Sequence, residues 1–235
     1  MSSHRDGSEE LAKLENGPPE ELLKWCSKRF GAKASLATDY GVEDMVLMDM
    51  ISRVAPSITV FTLDTGRLPE ETHRLMVRAR ERYGLPVKVL FPNARKVENM
   101  VSNYGPDLFH KSVDLRKMCC HIRMVEPLRR ALEGAEAWIV GSRHEQSPSG
   151  DEVRKISVDD DHDRILKICP LAGWTNEMVW DYVKKYDVPY NELHDKGYRV
   201  VGCEPCTRAV TIGKDIEASQ WWWEKDAKKG GLRPH

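Results

Sequence analysis

Four cysteines hold the most chemistry in the sequence: the adjacent pair Cys119-Cys120 and, late in the chain, the two of Cys203-Glu204-Pro205-Cys206. Adjacent cysteines strain a mutual disulfide, whereas a Cys-x-x-Cys pair presents two thiolates at a spacing that suits one metal centre. Cys119, Cys120, Cys203 and Cys206 are therefore candidate ligands of an all-cysteine metal site closed over a long loop. Zinc accepts four thiolates, but its structural sites generally draw on two Cys-x₂₋₄-Cys pairs, and one half here is a direct Cys-Cys. A 4Fe–4S cluster tolerates four sulfurs projecting from irregular backbone, so the spacing leans toward iron–sulfur and leaves zinc open. Successive residues on a helix diverge by about 100°, so both members of Cys119-Cys120 reach one centre only from a helix end or a distorted turn. A kink is expected there. His121 reads either as a hydrogen-bond donor to a cluster sulfur or as a solvated side chain. The other two cysteines, Cys26 among Leu22, Leu23, Trp25 and Phe30, and Cys169 before Pro170, read as buried small hydrophobes.

Three loops are candidates for binding an anion. Thr38-Asp39-Tyr40-Gly41-Val42-Glu43-Asp44 lies between a short apolar strand, Ala34 to Ala37, and an apolar helix, Met45 to Ile51. A Gly-bearing turn that opens a helix aims backbone N–H groups and the positive helix end at a phosphate or sulfate. On these residues alone an ordinary strand-to-helix turn capped by acidic side chains is the commoner outcome. The second loop, Asp64-Thr65-Gly66-Arg67, ends the β-branched strand Ile58 to Leu63, at the place where open α/β sheets bind ligands. Arg67 either meets an anion there or is solvated. The third, Gly141 to Gly150, follows the strand Ala137 to Val140 and offers Arg143, His144, Gln146 and Ser147.

The elements that position these loops alternate strand, helix, strand, helix, strand from residue 34 to 91, the signal for an α/β fold with a doubly wound, mostly parallel sheet. Helices are expected at 70–83, stopped by Gly84-Leu85-Pro86, and after Thr175 as N-cap. A further strand is expected at 164–168. The acidic run Asp159 to Asp163 reads as a solvated turn or a weak cation site. We divide the chain into a mobile N-terminal arm (1–18), an α/β domain (19–206) and a C-terminal tail (207–235) tied down by Trp221-Trp222-Trp223. A net charge of -1 with both signs interspersed gives no basic footprint for nucleic acid, and no apolar run approaches the roughly 18 residues of a membrane span. The polar start has no signal-peptide core, so a cytoplasmic location is expected, a reducing setting in which clustered cysteines hold metal or do redox chemistry.

Taken together, Cys119-Cys120 with Arg123 and Glu126-Pro127-Leu128, Gly202 to Thr207, Leu63-Asp64-Thr65-Gly66, Gly41 to Asp44, Glu145-Gln146-Ser147, Pro170 to Thr175 and Trp221 to Glu224 resemble the assimilatory adenylylsulfate (and phosphoadenylylsulfate) reductase family, in the family's order, over roughly residues 20 to 229. The resemblance implies the adenine-nucleotide α-hydrolase (PP-loop) fold, a 4Fe–4S cluster on the four cysteines, and adenosine 5′-phosphosulfate as substrate. It implies substrate contacts from Thr38, Gly41, Asp44, Leu63, Asp64, Thr65, Gly66, Arg143, Gln146 and Ser147. In the family a mobile tail cysteine attacks the sulfate sulfur and releases AMP, and thioredoxin then frees sulfite. A homo-oligomer is also expected.

The sequence departs from that pattern at several positions. Where the family tail carries Glu-Cys-Gly-Leu-His, this chain reads Lys229-Gly230-Gly231-Leu232-Arg233-Pro234-His235, and no cysteine follows Cys206. Met124 stands at a lysine position beside the cluster, His144 where a second arginine is expected, and Gly150 where the loop's closing arginine would fall. Asp39 puts a negative charge into the phosphate loop. Three readings follow: a family reductase whose thiol comes from thioredoxin or another donor, an adenylating enzyme that splits ATP and uses the cluster in sulfur transfer, or a non-catalytic cluster-bearing nucleotide-binding protein.

Overall fold

The computed structural model describes residues 3–146, 152–210 and 219–224, and for 3–9 the backbone alone. Ser147, Gly150 and the stretch Lys229–His235 lie outside the described residues. Six strands form one sheet in the order β3-β2-β1-β4-β6-β5. β1 (Ala34–Thr38) is flanked in parallel by β2 (Thr59–Leu63) and β4 (Ala137–Ile139). β3 (Val87–Leu90) extends the sheet beyond β2, and β6 (Ile165–Ile168) extends it beyond β4, both in parallel. β5 (Ile156–Asp159) closes the far edge antiparallel to β6. The first three strands are laid down in one direction from β1 and the fourth on its other side, so the order reverses between β1 and β4. At such a switch point a doubly wound sheet characteristically binds its ligand, in the crevice outside the carboxyl ends of the strands.

Helices cover both faces. α3 (Val42–Val54) is apolar through its middle, and Met45 to Met48, Met50 and Ile51 are completely buried, as a helix enclosed by neighbours requires. It packs on α2 (Pro19–Phe30), α4 (Glu70–Tyr83) and α8 (Asn176–Tyr186). α2 begins with Pro19 in its first turn, where the missing N–H costs nothing, and α4 ends at Gly84 in the left-handed conformation. Thr175 caps α8 by accepting the Met178 N–H. On the other face α7 (Glu126–Leu132) lays Leu128 and Leu132 over Phe61, Trp138 and Val140, with Cys169 buried beside them. Cys26 is buried in the larger core.

Two segments differ from the sequence reading. Ser3–Asn16, read as an arm, is helix α1; Leu14 joins the core and Glu15 accepts the backbone N–H of Lys155. The charged stretch before residue 164 contains β5, whose register on β6 pairs Ile156 with Ile168 and Val158 with Leu166. Only two apolar residues mark that strand, which is why charge masked it. No helix among the described residues is long and apolar enough to cross a membrane.

Candidate active site

After α5 (Ala94–Tyr104), α6 (Val113–Cys120) ends at the cysteine pair, and a single π-helical turn, His121–Val125, joins it to α7. The turn is a distortion at the place where a kink is expected: it widens the helix just past Cys119 and Cys120, as recurs at functional sites. Pro205 lies in a short 3₁₀ turn that brings Cys203 and Cys206 to the same place. All four thiols line one cavity together with Arg67, Phe109, Arg116, Arg123, Met124 and Pro205. Burial raises all four thiol pKa values, Cys120 to about 11, and the cysteines' mutual repulsion adds to the rise in Cys120, Cys203 and Cys206. Two buried guanidinium nitrogens on this cavity, Arg116 Nη1 and Arg123 Nε, have no hydrogen-bond partner among the described residues. Unpaired buried donors facing four potential thiolates fit an anionic occupant. Among the described residues no three His, Cys, Asp or Glu side chains converge to hold a single metal ion.

The Asp64–Arg67 turn is built into the wall of this cavity. Asp64 Oδ1 accepts the Gly66 N–H at 2.8 Å, and Gly66 takes a φ of +72°, which glycine reaches without strain. Thr65 joins turn to cysteines twice. Its hydroxyl lies 3.2 Å from Cys203 Sγ, and its carbonyl accepts Arg123 Nη1 at 2.5 Å. Arg67 donates to the Pro106 carbonyl, stacks on Phe109 and receives the Glu204 N–H on its own carbonyl. His73 Nε2 lies 3.0 Å from Asp64 Oδ2. Of the motif, Thr65 is thus brought against the cysteines, with Arg67 on the cavity wall.

At the β1 end, the left-handed residue is Tyr40, with φ of 63°, and Thr38 Oγ1 accepts its N–H at 3.0 Å. Gly41 serves a different purpose: Asp39 Oδ1 lies 2.8 Å from where a Cβ would stand. Two backbone donors that an anion would use are already engaged, since Gly41 N–H goes to Asp39 Oδ1 and Asp39 N–H to Asp44 Oδ2. Gly141, after β4, admits the close approach of the two loops, because a Cβ there would meet Asp44 Oδ1 at 2.7 Å. Thr38, Gly41, Asp44, Arg143 and Gln146 therefore lie on two loops that meet at the switch point of the sheet.

Arg143 lies there in an unexpected state. It is 4% exposed, and its guanidinium binds Glu43 Oε1 at 2.8 Å, Glu145 Oε2 at 2.9 Å and the Trp174 carbonyl. Gln146 donates to the same Glu43 oxygen, and Glu145 accepts the N–H of Asn176, the first residue of α8. The arginine stitches the two loops and α8 together. Its partner Glu43 lies 100 residues away in sequence, so no local pattern announces the pair.

Burial, then the charge of Asp39, raises the Asp44 carboxyl well above the usual range. A carboxyl raised in the folded state contributes stability that is complete below the ordinary aspartate pKa and is lost as pH rises through the raised value. Asp44→Asn should therefore raise the melting temperature at neutral pH and flatten its fall between mildly acidic and neutral pH. Thermal unfolding across that range checks this; a variant less stable than its parent at pH 7 contradicts it.

Residues 33–209 match the phosphoadenosine phosphosulfate reductase domain. The chain is 45% identical over 201 residues to an adenosine 5′-phosphosulfate reductase of Burkholderia cepacia, covering 85% of this chain and 80% of that protein. A protein of the same name from Allochromatium vinosum is 45% identical over 197 residues, covering 83% and 77%. The crystal structure of phosphoadenylyl-sulfate reductase from Candida auris, a phosphate complex, superposes with a TM-score of 0.74 at 27% identity, covering 88% of this chain and 98% of that one. Motifs, fold and relatives agree, and the chain belongs to the phosphoadenosine phosphosulfate reductase domain family.

Proposed function

We propose that the protein reduces adenosine 5′-phosphosulfate to sulfite and AMP, with a 4Fe–4S cluster on Cys119, Cys120, Cys203 and Cys206. The observation that supports this best is that the four thiols share a cavity whose wall is the Asp64–Arg67 turn, with Thr65 touching Cys203. The cysteines and the nucleotide motif belong to one site. The direct Cys119-Cys120 pair favours a cluster over zinc: zinc needs four sulfurs about 2.3 Å from one point, whereas each sulfur of a cube meets its own iron. When bound, such a cluster supplies a redox-active, charged iron–sulfide centre beside the sulfate. The relatives named for adenosine 5′-phosphosulfate are more similar to this chain than the phosphoadenylyl-sulfate reductase, which favours the substrate without a 3′-phosphate.

The chain's own residues would seat the nucleotide between the β1 and β4 ends, with Thr38, Gly41, Asp44, Leu63, Asp64, Thr65, Gly66, Gln146 and Ser147 as contacts. Arg143 holds the two loops in register. Gly230 stands at the family's tail-thiol position, so the nucleophile is assigned to thioredoxin or another dithiol. One thiolate attacks the sulfate sulfur, the bond from sulfur to the phosphate oxygen breaks, and AMP leaves. The second thiol attacks the first, sulfite departs, and the dithiol becomes a disulfide, supplying both electrons.

Sulfite release from this substrate under anaerobic conditions, with thioredoxin and its reductant, tests the reading. Sulfite and AMP in equal amounts are expected. No sulfite from either sulfonucleotide with any thiol donor overturns it, and cleavage of ATP to AMP and pyrophosphate would establish an adenylating enzyme in its place. The carboxylates around the crevice set a second expectation. Asp39→Asn keeps an acceptor for Gly41 while removing a like charge from the anion's position at the helix N-terminus. It should tighten AMP binding about fivefold, or about 1 kcal/mol, in a calorimetric titration. Weaker binding would contradict it.

A further inference from the structure

Arg116 takes no part in the nucleotide crevice, yet it is the most enclosed charge among the described residues: 1% exposed, with a side chain that reaches two places at once. It lies four residues before Cys120 on α6, hence on the same helical face, and it lines the cysteine cavity. Its opposite edge holds Glu224, with Nε to Oε1 at 2.6 Å and Nη2 to Oε2 at 3.1 Å. Trp221 stacks on the guanidinium with its ring centre at 4.2 Å. Of its nitrogens Nη1 alone lacks a partner among the described residues, and it is buried.

Glu224 belongs to a strap, described over residues 219–224, that crosses beside the cavity. Ser219 accepts the N–H of Arg208, Gln220 bridges Thr207, and Trp221 donates its N–H to the Cys206 carbonyl. Trp223 donates its indole N–H to the Phe109 carbonyl and packs on His110. The strap therefore runs from the second cysteine pair to the helix that bears the first. The Arg116–Glu224 pair is its far anchor, and the anchoring cation faces the thiols.

We propose that Arg116 is a positioning residue that couples cluster loading to the strap: Nη1 donates to the Cys120 sulfur of an anionic cluster while the other edge clamps Glu224. A guanidinium held between two anions fixes both, whereas with neutral thiols it has only one. Loading the cavity then tightens residues 219–224, and the strap in turn slows cluster loss, because coupling is reciprocal. Planar, multiply donating arginine can serve both anions; a lysine cannot do so with the same geometry. This inference rests on the cluster reading above.

The test uses the full chain, reconstituted anaerobically with iron and sulfide, and compares it with Glu224→Gln and Arg116→Lys. Amide exchange of the strap is followed in apo and loaded protein, and cluster loss to a chelator is followed by visible absorbance. The loaded parent should exchange its strap amides at least tenfold more slowly than the apo parent. In Glu224→Gln, which keeps the shape and removes the charge, that difference should collapse and chelation should quicken at least threefold at unchanged iron content. If the parent binds iron and sulfide but its strap exchanges alike in both states, or Glu224→Gln loses cluster at the parent rate, the coupling is wrong and the cluster reading stands. If no iron and sulfide bind, both fall.

Discussion

Cys203→Ser will lower sulfite formation by at least about 100-fold and leave the protein unable to retain its metal through gel filtration. That factor is the upper end of what losing an outer hydrogen-bonding partner costs a metal site, and a ligand is worth more. Cys203 is the natural position for the largest effect because it is the cysteine tied to the nucleotide motif, through the hydroxyl of Thr65. A serine there retains the contact with Thr65 but presents a hard oxygen to a metal that prefers sulfur. The turn around it is held independently, by Glu204 N–H to the Arg67 carbonyl and Cys206 N–H to the Cys203 carbonyl, so the backbone should survive the change. Anaerobic turnover and iron analysis on the same preparation measure both losses. A variant that keeps its iron and more than a tenth of its activity would remove Cys203 from the ligand set.

Arg143→Met is expected to act through stability first and ligand binding second. The side chain is 4% exposed and that of Glu43 is 13% exposed, so the substitution leaves an acid enclosed in the crevice wall with Gln146 as its remaining partner. Breaking one side of a buried pair costs about 3 kcal/mol, which for a chain of this size lowers the melting temperature by about 6–12 °C. Glu145 also loses its cation, and with it the orientation that places an acceptor on the α8 N-terminus. Nucleotide affinity should then fall even at temperatures where the fold persists, because the β1 and β4 loops are no longer held together. Thermal unfolding with an AMP titration checks both parts. A melting temperature within about 2 °C of the parent would show that the arginine is free, as the sequence motif alone suggests.

That contrast shows what could be read ahead of the structure. The central strands were legible because Ile58 to Leu63 and Ala137 to Val140 are apolar runs bounded by polar turns, and the helices because Gly84 and Thr175 mark their ends. β5 escaped because Ile156 and Val158 are its only apolar residues among many charges. The helical character of 3–16 escaped because its sequence is polar along most of its length and only Leu14 and Glu15 were found tied to the body. The cysteine site was legible as a spacing and the kink beside it as a geometric demand. What the arginines do was not. Arg143 reads as a cation available to an anion, but its partners come from Glu43, Glu145 and Trp174. Arg116 could have been noticed from its four-residue spacing to Cys120, whereas Glu224 lies 108 residues away and carries no local signal. Charge pairing across long loops is decided by tertiary structure, and sequence periodicity does not encode it.

The account depends most on what occupies the four-cysteine cavity. Iron, zinc and acid-labile sulfide should be quantified in the anaerobically purified chain, alongside its Mössbauer spectrum. About four iron and four sulfide per chain, with the signature of a 4Fe–4S cluster and negligible zinc, is the expected result. One zinc per chain with no sulfide would contradict the account at its centre.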